Sequence, residues 1–149
     1  MAERLESLKA GIIGALSLIF AFLITSLVNN LLLSRYFPIL ATEQISLVNL
    51  PWSFKIVASC IIPGFSGLLF GVTYRYIIRQ DQNPQLKVGG VLAFGLVRGL
   101  TQIEFGWNSA DTVVPYLLLA GESLLWFAIA AIALDFALHR RWLKAFSSV

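Results

Sequence analysis

The chain has 149 residues, of which 58% are hydrophobic and only 13% charged, and its mean hydropathy is +0.79. Soluble domains carry about 25% charged and roughly 45–50% apolar residues, so this composition excludes an ordinary water-exposed surface and fits a lipid bilayer. A single cysteine (Cys60) and a single histidine (His139) exclude a disulfide framework, a Cys/His zinc site and a bis-histidine haem site within one chain. The excess of Lys and Arg (11) over Asp and Glu (8) is spread along the chain beside apolar runs rather than gathered in a patch, so no nucleic-acid partner is expected.

A bilayer core about 30 Å thick needs about 20 apolar residues in a helix. Ala10–Leu33 carries no charge and is the first span. Its apolar stretch is too long for a signal-peptide core, and no A-x-A-like site follows it, so it is read as a retained helix. The segment 34–52 follows, bounded by Pro38 and Pro51 and rich in Phe, Ile, Leu and Val. It is expected to lie in the membrane interface or over the helix ends, with a lid or a partner-docking surface as the sharper alternative. Ile56–Tyr74 is the second span. Pro63 within it removes a backbone donor and predicts a kink. The loop from Arg75 to Lys87 carries Arg79 as well. Its basic residues are topology anchors or a docking site for anionic lipid or an acidic partner. Val88–Trp107 is the third span and Thr112–Leu134 the fourth, joined by a short polar loop that suits antiparallel neighbours.

The expected fold is therefore all-α, a four-helix transmembrane bundle forming one domain over residues 1–149. Eight Lys and Arg fall on the side of the termini and the second loop, against Arg35 and Lys55 opposite. That asymmetry predicts both termini in the cytoplasm, or in the stroma of a plastid-type membrane. Trp52, Trp107 and Trp142 fall at span ends, where amphipathic rings prefer to sit.

The most informative residues are charges inside the spans. A charge at the centre of a membrane helix costs roughly 2.5–3.5 kcal/mol on insertion scales, so it usually faces protein and finds a partner. Arg98 and Glu122 lie at nearly equal distances from the tip between Ser109 and Ala110, which predicts an Arg98–Glu122 ion pair near the midplane. Gly95, Arg98, Gly99, Gln102 and Gly106 share one helical stripe. Gly95 with Gly99, and Gly67 with Gly71, are small-xxx-small pairs that admit a neighbouring helix. Gln102 is a polar partner on the same face. Asp135 and His139 share a helix face at the cytoplasmic boundary. Cys60 is a packing residue rather than a nucleophile.

Phe70–Lys87 (FGVTYRYIIRQDQNPQLK) and Val91–Glu104 (VLAFGLVRGLTQIE) resemble a family of uncharacterised small multi-pass membrane proteins of cyanobacteria and chloroplasts. The resemblance implies a thylakoid or plasma-membrane location and an accessory role near photosynthetic complexes. It supplies no catalytic residues.

No H-E-x-x-H, G-x-S-x-G, C-x-x-C or glycine-rich phosphate loop is present, so no enzyme activity, metal site or cofactor is expected. The first functional expectation is an accessory, assembly or scaffold subunit that docks to other membrane subunits by its glycine faces and first loop. The alternative is a transporter or channel in which Arg98 and Glu122 line a path made by homo-oligomerisation. A pigment-binding protein, with a carboxylate ligating a magnesium porphyrin, is a third reading disfavoured by the shortage of histidine.

Overall fold

The computed structural model describes residues 2–32, 35–36, 52–78, 83–109 and 113–144. Among them are four helices and no strand: α1 (Ala2–Leu31), α2 (Trp52–Ile78), α3 (Pro84–Ser109) and α4 (Val114–His139). Each is long and apolar enough to cross a membrane. The helices overrun the apolar stretches read from sequence because backbone hydrogen bonding continues into the interface, where a polar side chain costs little. Most of the segment 34–52, and Arg79, lie outside the described residues.

Local signals set several of the ends. Asn83 Oδ1 accepts from Gln85 N–H at 3.0 Å, with Pro84 opening α3 where its missing donor costs nothing. At the other extreme α4 closes in a Schellman turn. Arg141 takes φ 57°, its N–H donates to Leu138 O, and Trp142 N–H donates to Ala137 O. The Phe136 and Trp142 rings meet at 6.2 Å, which is the apolar contact that accompanies this motif. That turn folds the chain back and delivers Lys144 to the base of the bundle.

α1 packs along α2 and α3 along α4, while α1 against α4 joins the two pairs; α2 and α3 touch far less. Small residues explain the α1/α2 contact. A methyl group added at Gly14 would strike the Gly67 carbonyl, one at Gly67 the Gly14 carbonyl, and one at Gly71 the Ala10 carbonyl. In α3, a methyl at Gly95 would meet Leu124 and one at Gly99 would meet Ala120. Both contacts are symmetric about the point between Ser109 and Ala110, so α3 and α4 form an antiparallel pair in the register deduced from the loop. Phe70, Tyr74, Phe127, Leu18 and Leu134 fill the centre, with Phe70 stacked edge-on to Phe94 and Phe127.

One end of the bundle is closed by a polar clasp. Arg75, only 2% exposed, donates from Nε to Lys144 O (2.8 Å), from Nη1 to Glu3 O (3.0 Å) and Ser7 Oγ (2.6 Å), and from Nη2 to the Glu3 carboxylate. Lys144 N–H donates to Glu6 Oε2 at 3.1 Å. Beside it, Asp135 accepts from Lys87 Nζ at 2.8 Å and from Tyr74 O–H at 3.1 Å. The start of α1, the end of α2, the start of α3 and the end of α4 therefore share one end of the molecule.

Two site expectations are corrected here. Arg75 is not a docking residue, because its guanidinium is buried and spent inside the chain on two segments, the start of α1 and the turn after α4. Lys87 likewise spends its charge on Asp135, bridging α3 to α4. Sequence placed both correctly beside apolar runs, but a basic residue at a helix end can turn inward to unsatisfied carbonyls as readily as outward to lipid.

Candidate functional site: the mid-helix polar cluster and the α2/α3 groove

The polar groups away from the clasp gather along the middle and outer half of the bundle. Arg98 comes from α3, Glu122 and Trp126 from α4, and Thr25 and Asn29 from α1. The expected Arg98–Glu122 ion pair does not form. Among the described residues the ion pairs are Lys9–Glu6, Arg75–Glu3 and Lys87–Asp135. Arg98 instead lays its guanidinium over the Trp126 ring, 4.8 Å from the centroid.

The physical reason lies in the direction of side chains rather than in depth. Every helical side chain leans toward the N-terminus of its own helix. In an antiparallel pair those leans oppose each other. Arg98 therefore reaches toward the clasped end of the molecule and meets Trp126, one turn along from Glu122. Glu122 leans the opposite way and toward α1, where the Asn29 amide is its polar neighbour. Equal depth of the backbones sends these two side chains apart.

Trp126 links three helices. Its Nε1–H donates to Thr25 Oγ1 at 3.0 Å, its edge contacts Phe22 with centroids 5.5 Å apart, and its face carries Arg98. A desolvated cation–aromatic contact contributes about 2 kcal/mol, which offsets much of the cost of the buried guanidinium. Hydrogen bonding remains incomplete. Arg98 Nε, Glu122 Oε2 and both amide atoms of Asn29 are buried without a hydrogen-bond partner, and Asn29 is only 1% exposed. Such groups cost about 1–3 kcal/mol each.

Arg98 also faces a cavity. Because α2 and α3 touch little, a groove of about 600 Å³ opens between them on the side of the bundle. Ile62, Ser66 and Leu69 form the α2 wall, Ala93 to Gln102 the α3 wall, and Phe127 the floor. The groove is chemically graded. The polar lining residues Arg98, Thr101, Gln102 and Ser66 lie in the half away from the clasp, interleaved with Ile62 and Val97; Leu69, Ala93, Phe94 and Phe127 make the half nearer the clasp apolar. Gln102, the expected polar partner, thus sits with Arg98 in this groove.

The glycine pairs are occupied. Gly67 and Gly71 face α1, while Gly95, Gly99 and Gly106 face α4, so these stripes build the bundle itself and are closed to an outside helix. Cys60 is a partly buried free thiol. Glu104, Trp107, His139 and Trp142 are exposed at helix ends. Compared with protein-family models, with curated proteins and with solved structures, the chain matches none.

Sequence reading missed Trp126, Asn29 and the groove. Trp126 was recoverable: it lies four residues from Glu122 on the same face, in the direction Arg98 must lean. Asn29 carries no charge and so left the first apolar run unbroken. The groove depends on the sparse contact of two helices, which no single segment encodes.

Proposed function

We propose that this chain is a non-enzymatic accessory, assembly or scaffold subunit of the membrane, and that it works by binding laterally, in the plane of the bilayer, through its α2/α3 side. The observation that carries this reading is the groove: a cation with no carboxylate within salt-bridge distance among the described residues, opening sideways from the bundle. The glycine stripes and the basic clasp are consumed in holding the bundle together. Among the described residues the α2/α3 side offers an outside component a groove in which Arg98 remains to be neutralised.

A transporter or channel built on Arg98 and Glu122 has less support, because the two charges lean apart along α4 and only Arg98 lines the groove. Association with a photosynthetic complex rests on the resemblance of Phe70–Glu104 to the cyanobacterial and chloroplast family.

The test is a comparison of extracts. A tagged wild-type chain, extracted in mild detergent, is expected to retain defined membrane subunits that are lost from Ala93→Phe, which fills the groove, at equal accumulation of both chains. A wild-type chain running as a homogeneous homo-oligomer without other subunits would refute the accessory reading and favour transport.

A further inference from the structure

We propose that the α2/α3 groove binds a long-chain carboxylic acid, its carboxylate on Arg98 and its acyl chain along Phe94, Phe127 and Leu69. This rests on the lateral-binding reading and names the occupant of that site.

Three observations converge on an amphiphile. The first is charge. Arg98 has no acidic partner within salt-bridge distance among the described residues, and its Nε is buried without an acceptor. A guanidinium is matched best by a planar anion that takes two parallel N–H donors, and a carboxylate does this with a single negative charge. The Trp126 ring covers one face of the guanidinium, which leaves its edge as the direction for an anion to approach.

The second is polarity along the groove. Gln102 and Thr101 lie one turn beyond Arg98 on α3, and Ser66 of α2 lines the same groove. They provide further donors for the head of a ligand. On the other side of Arg98 the lining is apolar for the rest of its length. A ligand with one polar end and one apolar end matches that gradient.

The third is size. About 600 Å³ lies within the roughly 300–1,000 Å³ of small-molecule sites. The stretch from Ile62 to Leu69 is about 10 Å long. Two turns of an α-helix with side chains occupy roughly 850 Å³ or more at a diameter of 10–12 Å, so a partner helix would stand outside the groove. A narrow acyl chain enters it.

The tryptophan beside Arg98 supplies the probe. A variant retaining only Trp126 (Trp52→Phe, Trp107→Phe, Trp142→Phe) is placed in phosphatidylcholine vesicles and titrated with 9,10-dibromostearic acid, a contact quencher. Quenching is read relative to each variant's own unquenched intensity. Saturable quenching is expected, reversed by oleate. The half-saturating mole fraction should rise about tenfold or more in Arg98→Gln, given the strength of hydrogen bonds to charged groups, and Arg98→Lys should recover part of it. Ala93→Phe, which leaves Arg98 in place, should abolish the saturable component.

Quenching by the methyl ester as strong as by the acid would overturn the assignment of the carboxylate. Saturable quenching by dibrominated phosphatidylglycerol that the free acid cannot displace would assign the site to a phospholipid headgroup and overturn the proposal. Displacement by an apolar host peptide with one central Glu would assign it to a partner helix, with the same consequence. Quenching that never exceeds the unsaturable background, in protein of native helicity, would also overturn it. In that last case, if Arg98→Gln still loses co-purifying subunits, lateral docking survives and only the amphiphile falls.

Discussion

Replacing Arg75 tests whether the bundle is locked at one end by a single guanidinium. Arg75 is 2% exposed and donates hydrogen bonds to Glu3, Ser7 and Lys144. Hydrogen bonds that involve a charged group contribute about 1.5–3 kcal/mol each. They share one side chain here and are not additive. The Glu3 carboxylate is 48% exposed, so its share is screened and stays below about 1 kcal/mol. Arg75→Ala is therefore expected to cost about 3 kcal/mol, most of it from the neutral acceptors left without a donor. Arg75→Lys keeps the charge but has no fork to reach both α1 and the C-terminal turn, so it should recover less than half. The measurement is reversible unfolding in mixed micelles titrated with SDS, run as a double-mutant cycle with Glu3→Gln. A coupling energy equal to the whole Arg75 effect would show that a simple ion pair does the work. A cost below about 1 kcal/mol would refute the clasp.

The same unfolding assay separates occupied from open glycines. Gly67→Ala places a methyl against the Gly14 carbonyl, where only backbone can give, and should cost about 1–3 kcal/mol or more. Gly121→Ala, which meets nothing within 4 Å, should be neutral or stabilising by up to about 1 kcal/mol; equal costs would contradict the α1/α2 packing. Charge exchange is the third test. Because Arg98 and Glu122 do not touch, Arg98→Glu combined with Glu122→Arg should accumulate no better than the worse single variant. Restoration of wild-type levels by the exchange would show that the two side chains meet after all.

Composition, span number and the register of the last two helices were legible because each follows from a one-dimensional rule. Apolar run length reports the helices, and a short loop such as 108–111 forces antiparallel neighbours whose backbone depths mirror each other. Gly95 opposite Leu124 and Gly99 opposite Ala120 are that mirror made concrete. Partner choice was not legible, because it depends on where side chains go after leaving the backbone. Arg75 and Lys87 look alike in sequence, each a base at the end of an apolar run. One closes on Glu3, Ser7 and Lys144, the other on Asp135, and neither pairing has a short-range signal across separations of dozens of residues.

The failure of the midplane pair bears directly on function. Had Arg98 met Glu122, both charges would have been neutralised inside one helical hairpin, leaving nothing for an outside component to recognise. The opposed lean of antiparallel side chains separates them instead, and each finds a weaker substitute: Trp126 for the cation, Asn29 for the acid. Neither substitute is equivalent to a counter-charge in a medium of low dielectric. Arg98 alone of the two lines the lateral groove, so an anion arriving from the bilayer can complete its coordination without unpacking the bundle. Glu122 is turned toward Asn29 of α1 and does not line the groove. Because the cation lines the groove and the acid does not, the chemistry of an occupant is read from Arg98.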